Sequence, residues 1–287
     1  MARATHNHSR HPEAPIQDWT ERMWADAEPK WVARDGQDSF YRDYVVVPGL
    51  MRAIRRFVAR DVVELLDLGC GDGYCTENLV ASMRTAGFAP SRVLLLDRST
   101  VQLQLAVRRR NLNGAKVIHT DLSDSGWFSL VPKRVSQRLL ISVFVVQELP
   151  VLQPLLLGLR ALMSNADVAL LVTTAPEYSA LLLRRRAILE PVKNPTDTDW
   201  HWRGLYPIDG AAGRLYLPHF QRTVMDYKRV ISALGLRCIA ADYLSVPDNR
   251  KATSVFSETI YGRHIVGIRS SVLLAIQGTQ PPQEALE

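Results

Sequence analysis

The stretch Asp67-Leu68-Gly69-Cys70-Gly71-Asp72-Gly73 sets three glycines at alternate positions behind an acidic residue. Glycine accepts positive φ and lets a ligand approach the main chain closely. The following segment, Tyr74 to Thr85, has helix-like patterning. A helix starting there would aim unpaired N–H groups and a positive dipole end at a bound carboxylate or phosphate. Spacing narrows the ligand. The dinucleotide fingerprint G-x-G-x-x-G/A, read from Gly69, puts Tyr74 at its third position; read from Gly71 it puts Thr76 there, and neither fits. No Gly-Lys-Ser/Thr follows the turn, so a phosphate P-loop is absent. Asp97 lies 97 − 73 = 24 residues beyond Gly73, close to the about 20 expected before a ribose-binding carboxylate.

These residues need strands to carry them. Val62 to Leu66 is an apolar run ending at Asp67, and Arg92 to Leu96 is another, ending at Asp97. Ala115 to Thr120 precedes Asp121 and Leu122; Arg138 to Val143 leads into Phe144-Val145-Val146-Gln147-Glu148-Leu149-Pro150; Asp167 to Thr173 completes the series. Runs that are continuously apolar, not alternating, predict parallel strands buried on both faces. Ligands bind at the carboxyl ends of such strands, where Asp67, Asp97, Asp121 and Phe144 fall. The expected fold class is therefore α/β, a doubly wound, mostly parallel sheet. Helices are expected over Thr223 to Leu234 and, from the spacing of Tyr41, Tyr44, Val45, Leu50, Ile54 and Phe57, before the first strand. Cys238 to Leu244 and Ser270 to Gln277 supply the last two strands.

The segment "LLDLGCGDGY" resembles motif I of class I S-adenosylmethionine (SAM)-dependent methyltransferases, of the small-molecule, natural-product type, and the resemblance runs over about residues 60 to 276. It implies a seven-stranded Rossmann-like sheet of order 3-2-1-4-5-7-6, with SAM as cofactor and S-adenosylhomocysteine (SAH) as product. It implies cofactor contacts from Asp67, Gly69, Cys70, Gly71 and Gly73. Asp97 would serve the ribose, Asp121 and Leu122 the adenine, and Val143 and Phe144 the methionine part, with Arg98 a further cofactor contact. The stretch Asp38 to Tyr44 resembles an N-terminal lid, with Tyr41 covering the cofactor. Transfer of a methyl group to O, N or C is an in-line displacement, so the protein must hold the acceptor near about 3–3.5 Å from the methyl.

The acceptor side is read from residue types alone. Residues 1–15 are expected to be a disordered tail, 16–60 an N-terminal helical lid segment, 61–175 the cofactor half, 176–222 an inserted cap, 223–277 the last helix and strands, and 278–287 a tail. Region 176–222 is dense in prolines, glycines, aromatics and cations, which suggests an ordered lid. Trp200, His201, Trp202, Tyr206 and Arg222 from that region, with Gln147, are the expected acceptor contacts. His219, which titrates near neutrality, is the first candidate for a general base; Glu148, at the end of the fourth strand, is another. An amine or carboxylate acceptor would need no base.

Net charge is +6 with a pI near 9.4, yet the arginines cluster as Arg108-Arg109-Arg110 and Arg184-Arg185-Arg186, read as solvated helix faces. A small-molecule acceptor is expected and nucleic acid disfavoured, since Ser142-Val143-Phe144-Val145 stands where base-amino methyltransferases carry an Asn/Asp-Pro-Pro-Tyr/Phe motif. An RNA methyltransferase, or a SAM-binding cyclase or decarboxylase, stays as the alternative. The three cysteines form no disulfide framework and no metal spacing is visible. No signal segment or membrane span is read, which points to the cytoplasm; a homo-oligomer stays open.

Overall fold

The computed structural model describes residues 41–176, 178, 188–191, 200, 202–210, 213–248 and 266–279. The expectations for residues 1–40, for Arg184 to Arg186, for His201 and for 280–287 lie outside the described residues.

The chain enters through a π-helix, Arg42–Val46, that runs directly into helix α1, Val47–Phe57. Strand β1 (Val62–Leu68) leads through the glycine turn into α2 (Tyr74–Thr85). Strand β2 (Ala89–Asp97), helix α3 (Thr100–Ala106) and β3 (Lys116–His119) follow, then β4 (Gln137–Val143), α4 (Gln153–Leu162) and β5 (Val168–Thr174). Beyond the inserted β6 (Ile188–Pro191), β7 (Trp202–Gly210) and β8 (Gly213–Gln221), the chain returns with α5 (Val224–Ala233), β9 (Arg237–Ser245) and β10 (Arg269–Gln277).

Seven strands form one sheet in the order β3-β2-β1-β4-β5-β10-β9. Numbering only its own members, this is 3-2-1-4-5-7-6, as expected. Strands β1 to β5 pair in parallel, while β10 runs antiparallel to both β5 and β9. The apolar runs of β1, β2, β4, β5 and β10 are buried: Leu65, Leu66, Leu94, Leu139, Leu140, Leu170 and Leu274 have no exposed surface. The third run is not, because β3 is the edge strand and only Ile118 of it is buried. Helix α4 comes very close to the segment before β4. A Cβ on Gly158 would lie 2.2 Å from the ring of buried Trp127, whose indole N–H donates to Pro154 O at 3.2 Å.

Two features were not legible. Strand β2 begins three residues before the apolar run, with Pro90 paired to Val63 just ahead of a register shift in β1. The proline- and glycine-rich stretch 176–222 contains a separate antiparallel sheet, β6-β7-β8. Its hairpin closes on the pair Gly210 and Gly213.

The amino ends of the strands hold a buried charge cluster. Glu64, fully buried on β1, accepts from Arg138 Nε at 2.7 Å and also pairs with Arg92. Asp167, equally buried, accepts from the Arg138 N–H, the Ser164 N–H and hydroxyl, and Arg134. This cluster ties β1, β4 and β5 together at the end remote from the glycine turn.

Candidate active site

The carboxyl ends of β1, β2 and β4 meet around the glycine turn. Gly69, Gly71 and Gly73 all have positive φ (81°, 54° and 75°). The N–H groups of Gly69 and Cys70 both donate to Leu96 O, at 2.8 and 3.0 Å, which ties the turn to the end of β2. A Cβ on Gly69 would stand 2.3 Å from Val145 Cγ2, so the chain after β4 crosses directly over this residue. The crossing begins at Phe144, whose φ of 61° is the one positive value outside glycine among the described residues. A bulky residue in that region is strained, and such strain gathers at functional sites. The Phe144 N–H is held by Val172 O at 2.8 Å.

Asp97 braces the turn: one carboxylate oxygen accepts from the Gly71 N–H at 2.8 Å, the other from the Ser99 N–H at 2.9 Å. Asp67 lies beneath, fully buried, accepting from the hydroxyl of buried Thr76. Burial pushes its pKa up to about 7, the Thr76 bond opposing this and the charge of Asp97 adding to it. Cys70 and Cys75 are buried thiols raised by the same desolvation. Asp121 accepts from the Ser123 N–H and hydroxyl and pairs with Arg98 at 3.3 Å, beside buried Leu122. His119 bonds Arg98 O through Nε2 at 2.8 Å.

Tyr41 is buried, its hydroxyl hydrogen-bonded to Ser270 Oγ (2.5 Å) and Ser271 Oγ (2.7 Å), its ring 6.0 Å from that of Phe144. Asp43 accepts from the Tyr74 hydroxyl at 2.8 Å and from Asn78 at 3.2 Å. Tyr41 and the π-helix after it therefore link the start of β10 to α2. π-Helical turns are frequent at functional sites.

Arg109 corrects one expectation. It does not lie on a solvated helix face: it donates to the backbone O and carboxylate of Asp72, pairs with Glu77 at 3.2 Å and stacks 5.1 Å from the Tyr74 ring. It closes the turn onto α2.

Glu148 sits on the loop after β4. Its side chain is half-buried and makes no hydrogen bond or ion pair among the described residues. Desolvation raises its pKa well above the ordinary glutamate value, Asp97 raises it further and Arg42 opposes. Asp97, Arg42 and Glu148 thus face one region.

Of the other expected acceptor-side residues, Trp200 and Arg222 donate to this same loop, and Gln147, within it, is bonded to β5. Gln147 Oε1 accepts from the Thr174 N–H (2.8 Å) and the Thr173 hydroxyl (3.2 Å). Buried Arg222 donates to Val146 O, Leu149 O and Pro150 O. Trp200, also buried, donates its indole N–H to Pro150 O at 3.0 Å and packs 5.3 Å from the Phe220 ring. His219 is buried on β8; burial and the neighbouring Arg222 charge lower its pKa to about 4. Trp202 and Tyr206 fall on β7, opposite Gln221 and Leu217. Among the described residues no cluster of His, Cys, Asp or Glu is placed to hold a metal, and no helix is long and apolar enough to cross a membrane.

The fold is that of SAM-dependent methyltransferases. The DhpI–SAM–HEP complex superposes with a TM-score of 0.54 at 15% identity, over 91% of this chain and 97% of that one. A SAM-dependent methyltransferase from Clostridium acetobutylicum gives 0.51 at 12%, covering 90% and 99%. The glycopeptide N-methyltransferase MtfA, complexed with sinefungin, gives 0.51 at 14%, covering 81% and 86%. Comparison of the sequence with protein-family models and with curated proteins finds no match.

Proposed function

We propose that the protein is an enzyme that transfers the methyl group of SAM to a small-molecule acceptor, releasing SAH. The observation that carries this reading is the turn braced by Asp97: three positive-φ glycines, a carboxylate at the end of β2 and the strained Phe144 crossing lie within one site. The proteins of the same fold crystallised with SAM or sinefungin support it. When bound, SAM supplies an electrophilic methyl on a sulfonium. The chain's own residues bind it, exclude water beneath the π-helix and present the acceptor.

For a neutral hydroxyl acceptor the base is Glu148 and not His219. An imidazole with a pKa near 4 is a weak base, and burial among packed side chains keeps it from a substrate. Glu148 is reachable by solvent and its raised pKa makes it the stronger base. General bases contribute about 10²–10⁴-fold. The deprotonated carboxylate is the working form, so the rate should climb with pH through its pKa and then level off.

Calorimetric titration with SAM and SAH tests the cofactor; absence of heat at millimolar ligand would end the proposal. Transfer of labelled methyl is then compared between fractionated small metabolites and RNA, and label on RNA alone would move the protein to the nucleic-acid class. With an acceptor in hand, Glu148→Gln should lose about 10²-fold or more in kcat and abolish the rising pH limb, with SAM affinity kept.

A further inference from the structure

The loop Phe144 to Leu152 joins β4 to α4 without a ladder of its own, so its carbonyls need donors from elsewhere. The inserted segment and the chain leaving it supply most of them. Arg222, just after β8, donates to the carbonyls of Val146, Leu149 and Pro150, on both sides of Glu148. Trp200, ahead of β7, donates to Pro150 O. The Phe220 N–H on β8 donates to Gln147 O at 2.6 Å, and Phe220 packs on Trp200. Gln147 is held from beneath by Thr173 and Thr174 of β5. Val146, Gln147, Leu149 and Pro150 are thus held through their carbonyls, and the Glu148 N–H donates to Val145 O at 2.8 Å, while the Glu148 side chain stays without a partner among the described residues.

The geometry points to Arg222 as a positioning residue for Glu148: through it the inserted sheet sets where the carboxyl at the end of β4 stands. This rests on the role given to Glu148 above. A guanidinium suits the task because its planar fork reaches several carbonyls at fixed angles, which an ammonium cannot do. Arg222 donates to the carbonyls of this loop, so its loss should act on Glu148 and leave the glycine turn unaltered. Among the described residues, the charges that act on Glu148 come from β2 (Asp97) and the π-helix (Arg42). A change in Glu148 titration after substitution of Arg222 therefore reports position and hydration.

The experiment follows the Glu148 carboxyl by NMR in full-length protein labelled with ¹³C-glutamate, assigned with Glu148→Gln. In the natural protein the resonance should titrate well above the ordinary glutamate range. In Arg222→Met the loop loosens and takes up water, and the midpoint should fall by about one pH unit or more toward that range, while SAH affinity stays within about twofold and unfolding stays cooperative. Arg222→Lys should shift it almost as far. Trp200→Phe keeps the ring and removes one N–H; it should give a smaller shift in the same direction, and it decides the matter if Arg222→Met does not fold. A folded variant set with an unchanged midpoint would overturn the inference alone. An ordinary midpoint in the natural protein would overturn the role of Glu148 itself.

Discussion

Asp67 offers a test in which the sign and size of an effect follow from one buried carboxyl. It is fully enclosed beneath the glycine turn, with the Thr76 hydroxyl donating to it. Its pKa stands near 7 in the folded chain against 3.8 for a free aspartate side chain. Between those values the folded protein keeps a proton that the unfolded chain has released. Stability to unfolding therefore falls as pH rises through this window, by up to about 1.36 kcal/mol per pH unit. A shift of about 3 units makes the full cost about 4 kcal/mol, reached above pH 7 and absent below pH 3.8. Asp67→Asn keeps the shape and an oxygen to accept from Thr76 but cannot ionise. Measured by urea unfolding, the stability of this variant relative to the natural protein should rise by about 4 kcal/mol between pH 4 and pH 8. Glu148, raised in the same direction, is common to both proteins and cancels in the difference. Parallel stability curves, with a difference constant within about 1 kcal/mol, would refute the reasoning.

Thr76→Val should move that window upward, because the lost hydrogen bond is what holds the Asp67 pKa down; the pH-dependence of urea midpoints reads it. Gly69→Ala combines a left-handed backbone with a Cβ 2.3 Å from Val145 Cγ2, costing about 2–5 kcal/mol by chemical denaturation. Adding Val145→Ala should recover only the steric share, which a double-mutant cycle separates. Glu64→Gln leaves Arg138 buried without its carboxylate and should cost about 3–5 kcal/mol. Its SAH affinity should stay within about twofold, because five residues of strand put Glu64 about 17 Å from the turn.

The sheet was legible because its signals are local and chemical. Continuous apolar runs are satisfied by burial on both faces, as in β1, β4 and β5, and Asp67, Asp97 and Asp121 stand at or just past the carboxyl ends of β1, β2 and β3. The glycine turn was legible because positive φ at three alternate positions permits few other residues. Arg109 was misplaced because a run of three arginines looks the same whether solvated or folded inward; only the chain's return from β2 brings it to Asp72 and Glu77. The inserted sheet was hidden by its prolines and glycines, which mark loops locally but here close a hairpin and tolerate an antiparallel pairing.

On the acceptor side, residue type and role come apart for a physical reason. Gln147, Trp200 and Arg222 carry the groups a substrate pocket would use, and sequence alone gives no way to tell a donor aimed at a ligand from one aimed at the backbone. An irregular loop packed under a second sheet creates a demand for partners: Trp200 and Arg222 donate to its carbonyls, and Gln147, within it, accepts from the Thr174 N–H. His219, buried between these anchors, pays for its place with its basicity. What a satisfied loop leaves over is informative: a single carboxyl, Glu148, solvent-reachable and unpaired among the described residues, at the strand end where the glycine turn and Asp97 already face. The proposed base is therefore the residue the packing does not use, with Trp200 and Arg222 holding the loop that carries it.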